Sequence, residues 1–303
     1  MMRICSLLPG ATEIAFSLGL GDQIVGVTHE CDYPHDAKQK RVVVRSGIDP
    51  NRMTGREIDR KVGELLAAGK GLYTIDEQAL IDSSPDVILT QGLCDVCALD
   101  YNEVVKVARL LPRAPIIVSL NPHSLTDVID DISRVGAATN REAAAAALVS
   151  DLRTRIERVG FREPDYRPRV VCLEWFEPLY VAGHWVPEMV ALAGGYDVLG
   201  RKGEPSFKVE WQPILDAKPE VILLMPCGFD ARRTVKESTP LRHLEGWDHL
   251  PAVQAGNVYA LNGSAYFSRP GPRLVNGLEI LAHIIHPNEI TESLPESDAA
   301  RFH

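Results

Sequence analysis

Short apolar runs alternate with amphipathic stretches along the first half of the chain. Residues 3–8, 24–28, 85–90 and 116–120 are rich in Ile, Val and Leu and are bounded by turn residues, which predicts four strands. The stretches between them, such as residues 102–111, repeat apolar positions at helical spacing. Strands separated by helices in this way predict an α/β fold with a parallel sheet covered on both faces.

The middle of the chain is predicted to be helical. Ser124 is a suitable cap for a helix that runs to about residue 135, and the capping-box pattern Thr139–Glu142 opens a second helix that runs to about residue 159. A helix of about 20 residues spans about 30 Å, which is close to the diameter of one domain. We therefore expect the long helix to brace two parts of the molecule.

The second half of the chain repeats the apolar pattern of the first half in the same order. Residues 169–173 resemble residues 3–7, and the Pro-acid-Val-Ile-Leu run at 219–223 matches the run at 85–89. This repetition predicts two similar α/β lobes joined by one long helix. The predicted divisions are a first lobe (1–122), a connecting helical segment (123–163), a second lobe (164–290) and a frayed tail (291–303).

Composition and charge narrow the possible partners. The 303 residues are 45% hydrophobic and 24% charged, which is typical of a globular protein. The formal net charge is −9, so the chain lacks the positive field that attracts nucleic acid. No apolar run reaches the ~18 residues of a membrane span. We therefore expect neither a nucleic-acid partner nor a membrane-spanning segment.

The N-terminus bears on the expected location. Only residues 4–8 form an apolar run before Pro9, which is shorter than the ~7–15 residues of a signal peptide. As written, the sequence predicts a cytoplasmic protein. A mature form derived from a longer precursor would instead be periplasmic or extracellular.

Polar and thiol side chains follow the predicted strands of the first lobe. In open parallel sheets, ligands bind beyond the carboxyl ends of the strands, and two facing lobes would form a cleft there. The residues at these strand ends are Pro9, Gly10, His29, Glu30, Cys31, Gln91, Cys94 and Cys97.

The corresponding segments of the second lobe are aromatic. Flat apolar rings with a few polar groups suit a large planar ligand, so this chemistry predicts such a ligand in the cleft. The rings belong to Trp175, Phe176, Trp185, Tyr266 and Phe267. His184 precedes one of them and is a candidate either for an axial ligand to a bound metal or for a residue at the rim.

The cysteines of the first lobe form a possible metal site. Cys94-x-x-Cys97 follows one strand, and His29-x-Cys31 follows a probable neighbour. Three thiols and an imidazole are suitable ligands for zinc or iron. A redox disulfide and unligated thiols remain alternatives.

Recognisable catalytic motifs are absent from the sequence. There is no G-x-S-x-G, no G-x-x-x-x-G-K-[ST] and no H-E-x-x-H. These motifs therefore give no indication of an enzyme.

The order of several motifs resembles a known family. These are the opening residues 6–13, the paired Pro-acid-Val-Ile-Leu strands, and the aromatic segment from Tyr266 to Arg273. Over about residues 3–286 the chain resembles the class III substrate-binding proteins of iron-siderophore, haem and cobalamin ABC importers, and is most similar to their cobalamin-binding branch.

This resemblance implies two Rossmann-like lobes, each with a central parallel sheet, and a ligand clamped between them. The ligand would be cobalamin or a related corrinoid, and neither a cofactor nor covalent chemistry would be required. The ligand would be delivered to an ABC permease or carried within the cell. The contacts implied by position are Glu30, Tyr73, Gln91, Phe176, Trp185, Tyr266, Phe267 and Arg269.

The resemblance also implies surfaces for docking to a permease. Members of the family present one acidic side chain on each lobe, but the matching positions here are Gln78 and Gln212, with Glu77 and Glu210 close by. An iron-siderophore or haem carrier of the same fold is one alternative function. A metal-thiolate or redox protein that uses Cys31, Cys94 and Cys97 is another.

Overall fold

The computed structural model describes residues 1–92, 101–159, 166–287 and 294–302. The first lobe contains one six-stranded sheet with helices on both faces. Its strands are β1 (Ile4–Ser6), β2 (Ile24–Thr28), β3 (Val42–Ser46), β4 (Tyr73–Ile75), β5 (Val87–Thr90) and β6 (Ile116–Ser119), and its helices are α1 (Pro9–Ser17), α2 (Gly55–Ala67), α3 (Glu77–Ser83) and α4 (Tyr101–Ala108).

The strand order in this sheet is β4-β3-β2-β1-β5-β6. All neighbouring pairs are parallel except β3 and β4. Ile4 of β1 packs in one apolar cluster and Cys5 packs in another. Successive side chains of a strand point to opposite faces, so both faces of this sheet are covered, as the continuous apolar runs predicted.

Two helices connect the lobes. They are α5 (Leu125–Ala138) and α6 (Glu142–Val159), which pack against each other and are separated at Asn140 by a left-handed residue with φ of 55°. Leu125 lies in the core of the second lobe, whereas Val135 lies in the core of the first. The long helix predicted from the sequence is α6, and α5 doubles the connection.

The second lobe is built around a seven-stranded sheet. The elements of this lobe are β7 (Arg169–Phe176), β8 (Leu179–Val181), α7 (Val186–Leu192), β9 (Tyr196–Asp197), β10 (Phe207–Lys208), α8 (Trp211–Ala217), β11 (Val221–Leu224), α9 (Ala231–Glu237), α10 (Pro251–Gln254), β12 (Val258–Leu261), α11 (Gly263–Tyr266), α12 (Leu274–Ile285) and β13 (Ala299–Arg301). In the sheet, the central strands β7, β11 and β12 are parallel, with β8, β10 and β13 added antiparallel at the sides.

The repeat in the sequence corresponds to a repeat in the structure. The two Pro-acid-Val-Ile-Leu runs form β5 and β11, and each is a fully buried strand between two parallel neighbours. The tail that we expected to fray instead contributes β13, because Ala299 and Phe302 bury apolar side chains against the second lobe. Among the described helices, none combines the length and the apolar character needed to cross a bilayer.

Candidate ligand site between the lobes

Charged residues from both lobes meet where α1 approaches the segment that precedes α12. We call Glu13, Asp32, Arg269 and Arg273 the ionic cluster. Arg273 donates two hydrogen bonds to the Glu13 carboxylate, Nε to Oε2 at 2.9 Å and Nη2 to Oε1 at 2.6 Å. Arg269 donates to Asp32 and lies 3.8 Å from Glu13 Oε1. Glu13 is only 2% exposed, so two guanidinium groups compensate a buried carboxylate.

The backbones of the two lobes also approach closely at the ionic cluster. Gly10 lies in the first turn of α1, and a Cβ atom there would overlap the carbonyl oxygen of Pro270. Arg273 also covers the ring of Tyr33, with 4.0 Å between the guanidinium carbon and the ring centroid. Gly10 therefore belongs to a tight contact between the lobes, and Pro9 precedes it as the first residue of α1.

A second contact joins the lobes through α2 and α9. We call residues 48–67, which comprise α2 and the loop before it, the α2 segment. Arg233 Nη2 donates to the carbonyl oxygens of Pro50 and Met53, both at 2.8 Å. The Glu237 carboxylate accepts from the amide of Gly55 at 3.1 Å. The α2 segment is therefore held by polar groups of the other lobe.

Two aromatic rings lie beneath the start of α2. The rings of Trp175 and Phe229 are 5.3 Å apart, and a Cβ atom at Gly55 would be 3.6 Å from the Trp175 ring. Trp175 Nε1 is buried and has no hydrogen-bond partner among the described residues. A buried N–H group without an acceptor is costly, so this donor faces a place where an acceptor would stabilise the protein.

A groove runs along the outer side of α2. Its cavity of about 470 Å³ separates the helix from the edge of the second lobe. Arg56 crosses it to Glu177 at 2.8 Å. The other lining residues are Asp59, Arg60, Phe176, Pro178, Leu179, Lys208, Val209, Glu210 and Trp211.

Several predicted residues of the first lobe lie together. The Tyr73 hydroxyl donates to Glu30 Oε1 at 3.2 Å, and the Tyr73 and His29 rings are 6.1 Å apart. Arg269, which we expected to meet the ligand, donates to the Glu30 carbonyl oxygen at 3.3 Å as well as to Asp32. Burial would lower the pKa of Arg269, but these acidic neighbours raise it above its usual value.

The predicted thiol cluster is only partly described. Cys31 is 3% exposed, and its Sγ lies 3.1 Å from the Thr12 hydroxyl and 3.4 Å from the Thr28 hydroxyl. Burial raises the pKa of the Cys31 thiol, which disfavours the thiolate. Cys94 and Cys97 lie outside the described residues, so their pairing with His29 stays a prediction. Within the described ranges, no group of three or more His, Cys, Asp or Glu side chains is arranged to hold a metal ion.

The aromatic residues of the second lobe separate into different environments instead of forming one wall. Trp185 and Phe267 are 5% and 3% exposed, and Trp185 Nε1 donates to the Phe267 carbonyl oxygen at 2.8 Å. Both pack in the core beside α7 and α12. Phe176 is also buried but lines the groove beside α2, whereas the Tyr266 hydroxyl donates to Asp298 at 3.1 Å. Trp175 is therefore the predicted ring that lies directly beneath the α2 segment.

His184 lies in a strained turn. Its φ is 53°, and its amide donates to the Glu204 carbonyl oxygen at 2.6 Å. Nδ1 is buried without a partner among the described residues, and burial lowers the pKa of the imidazole. Its ring lies 6.4 Å from that of His123. This lowered pKa favours the neutral form of the His184 side chain. Of the other predicted residues of the first lobe, Gln91 directly follows β5 and is buried, with 8% of its surface exposed.

The predicted docking residues occupy equivalent places in the two lobes. Gln78 in α3 donates to Asp82 at 2.7 Å, and Gln212 in α8 donates to Asp216 at 2.9 Å. Both amides, together with Glu77 and Glu210, are exposed. Each glutamine therefore bonds to an aspartate that lies four residues later in the same helix.

Among the junction residues that sequence reasoning missed are Glu13, Arg233, Glu237 and Arg273. Glu13 and Arg273 lie within the motifs that carry the resemblance. Their residue types alone did not indicate that they bond to each other across the lobes. Arg233 and Glu237 lie four residues apart on α9, a spacing that places them on one helical face. That spacing was the available signal, although it is common on surface helices.

Comparison with known proteins places the chain in a family. The sequence pattern of the periplasmic binding protein family matches residues 4–265. An uncharacterized ABC transporter substrate-binding lipoprotein of Bacillus subtilis is 25% identical over 297 residues, which cover 96% of this chain and 82% of the relative. A vitamin B12-binding protein of Vibrio cholerae is 24% identical over 280 residues, which cover 91% and 86%.

Solved structures agree on the fold. A periplasmic haem-binding protein from Roseiflexus matches with a TM-score of 0.71 and 20% identity, covering 94% of this chain and 98% of that one. The family's name and the lipoprotein relative conflict with our expectation of a cytoplasmic location. The expected resemblance is confirmed, and the chain belongs to the periplasmic binding protein family, whose members bind ligands for transport and are not catalytic.

Proposed function

We propose that this protein binds a corrinoid between its two lobes, as the substrate-binding protein of an ABC importer or as an intracellular carrier. The observation that carries the position of the site is Trp175, which lies at the junction of the lobes and whose buried N–H has no acceptor among the described residues. The relatives named vitamin B12-binding proteins, from Vibrio and Yersinia species, support the class of ligand.

The chemistry of the junction suits a corrinoid. A corrin ring has broad apolar faces and a periphery of amide side chains that accept and donate hydrogen bonds. Trp175 and Phe229 offer apolar surface, Trp175 Nε1 offers a donor, and Arg233 lies 3.7 Å above the Phe229 ring. Aromatic surface beside a few polar groups is the usual composition of such sites.

The size of the ligand requires the junction to open. Pockets for drug-sized molecules measure roughly 300–1,000 Å³. A corrinoid is larger than such molecules, and the groove beside α2 measures about 470 Å³. We therefore expect binding to separate the α2 segment from the second lobe.

Docking to a permease would use α3 and α8. Glu77 and Gln78 on the first lobe correspond to Glu210 and Gln212 on the second, and all four are exposed. Asp82 and Asp216 supply an exposed acidic group in each lobe close to the glutamines. We propose that these two patches face arginines of the permease.

Titration of the purified protein with cyanocobalamin, cobinamide, haem and a ferric siderophore tests the ligand class. We expect heat and a change in the visible spectrum with the two corrinoids, at micromolar or lower Kd. Binding of haem or the siderophore with no response to either corrinoid would contradict the proposal and favour the alternative carriers.

Two matched tryptophan variants test the position of the site. Trp175→Phe removes the donor that lacks a partner, so we expect corrinoid affinity to fall about tenfold, the value of one hydrogen bond of the usual strength. Trp185→Phe removes a donor that already has an acceptor in the core. This control should lower stability and leave affinity unchanged. Equal loss of affinity in both variants would contradict a site at Trp175.

A further inference from the structure

We propose that the α2 segment is a movable cover over Trp175 and Phe229, and that Arg233 bonds to the cover when it is closed and to the ligand when it is open. When the cover opens, an acceptor group of the ligand replaces the Pro50 and Met53 carbonyl oxygens on the Arg233 guanidinium. The role of Arg233 rests on the proposed function, whereas the opening of the cover does not.

The α2 helix is weakly attached to its own lobe. Every residue of α2 is described, and Ile58 alone is buried. None of its side chains belongs to the apolar clusters that form the cores of the described parts of the lobes. Instead, α2 contacts β7 of the second lobe. A helix that buries so little apolar surface in its own lobe loses little when it moves.

The α2 segment nevertheless has a stable local structure. Thr54 and Glu57 form a capping box in which the Thr54 hydroxyl accepts from the Glu57 amide and the Glu57 carboxylate accepts from the Thr54 amide. This arrangement satisfies the first turn of α2 without help from the other lobe. The start of the helix therefore does not depend on the second lobe.

The contacts that hold the cover shut are polar and replaceable. They are the two bonds from Arg233, the bond from the Gly55 amide to Glu237 and the exposed pair of Arg56 with Glu177. Water can take the place of the partner in each of these bonds, so the net cost of opening is small. Even a Cβ atom placed at Gly55 would be 3.6 Å from the Trp175 ring, an ordinary contact distance, so the ring does not interlock with this end of α2.

Arg233 stays in place when the cover leaves. Its guanidinium carbon lies 3.7 Å above the Phe229 ring, within its own lobe, and Glu237 lies 3.8 Å from its Nε. Opening removes both carbonyl acceptors from Nη2. Water then occupies these positions, and a ligand carbonyl, amide or carboxylate oxygen can replace it on the guanidinium, which its contact with the Phe229 ring holds at the site.

Hydrogen exchange measured by mass spectrometry tests the cover in the absence of ligand. We expect amides of α2 to exchange at least about tenfold faster than those of α6, because α6 is packed in both lobes. Arg233→Ala should accelerate exchange in α2 further, whereas the control Arg232→Ala, an exposed neighbour on the same helix, should not. Equal protection of α2 and α6 in all three proteins would overturn the cover.

Stopped-flow binding of cyanocobalamin tests the exchange on Arg233. Glu237→Gln loosens the cover and keeps Arg233, so we expect association to accelerate at unchanged or higher affinity. Arg233→Ala loosens the cover and removes the ligand contact, so affinity should fall about tenfold. Unchanged affinity in Arg233→Ala would overturn the role of Arg233. If the wild-type protein binds neither corrinoid, the proposed function fails, and hydrogen exchange still decides whether the cover exists.

Discussion

The two lobes meet at two ends of one junction, and the two ends are built from different chemistry. At the ionic cluster, Glu13 is almost completely buried and is shared by two arginines. At the α2 segment, the bonds run mainly to backbone groups, and the ion pair of Arg56 with Glu177 is largely exposed. Buried charge pairs cannot be broken cheaply, whereas exposed polar contacts can.

This difference assigns separate tasks to the two ends. Opening at the ionic cluster would leave buried charges without partners and would also separate Gly10 from Pro270. Opening at the α2 segment exposes groups that water readily satisfies. We therefore call the ionic cluster the fixed end of the junction and the α2 segment its releasable end. Equivalent substitutions at the two ends test this difference.

The largest expected difference is between the losses of stability caused by substituting Glu13, at the fixed end, and Glu237, at the releasable end. Glu13→Gln removes the carboxylate charge that compensates Arg269 and Arg273, so the free energy of unfolding should fall by about 3–5 kcal/mol. Glu237→Gln keeps an oxygen acceptor for the Gly55 amide and should cost less than about 1 kcal/mol. Urea unfolding at neutral pH measures both values. Similar losses in the two variants would contradict a fixed and a releasable end.

Two glycines give a smaller and purely steric comparison. Gly10→Ala places a methyl group against the backbone of Pro270, which cannot rotate away, so stability should fall by about 1–3 kcal/mol. Gly55→Ala places its methyl group 3.6 Å from the Trp175 ring, an ordinary contact. Stability there should be unchanged or rise by up to about 1 kcal/mol, because alanine restricts the unfolded chain.

Thermal unfolding of the two alanine variants checks this expectation. Gly10→Ala should lower Tm while Gly55→Ala does not. A drop in both would mean that α2 is packed against the second lobe as tightly as α1 is, and the releasable end would no longer be supported.

Much of the fold followed from the apolar pattern. The runs that became β1, β5, β7 and β11 are continuously apolar because both faces of each sheet are covered, and that signal is local in the sequence. The antiparallel additions, such as β13, gave no such signal. The pairing of β13 with β12 depends on Phe302 finding a pocket in the distant core, which no local pattern encodes.

The candidate site was less predictable, because residue type does not reveal which way a side chain points. The sequence predicts that both Trp175 and Trp185 line the cleft. The structure gives Trp185 an acceptor at Phe267 and a place in the core, whereas Trp175 has no acceptor within the described part of the chain. Arg269 was expected to meet a ligand, but its guanidinium is shared with Asp32 and Glu30. Contacts within the second lobe bury Trp185, whereas contacts with the first lobe hold Arg269, and residue type reveals neither.

The smallest expected effect concerns the exposed ion pair at the releasable end. Arg56 and Glu177 have side-chain exposures of 76% and 36%, so their coupling in a double-mutant cycle with alanine should be only about 0.2–1 kcal/mol. In about 1 M NaCl the screening length falls to about 3 Å, and this coupling should vanish. The same cycle on Glu13 and Arg273 should keep most of its coupling, because salt does not reach a carboxylate that is 2% exposed. Coupling of Arg56 with Glu177 that survives high salt would show that water does not reach the groove beside α2. The cover would then be held by desolvated charge, and its opening would cost as much as opening the ionic cluster.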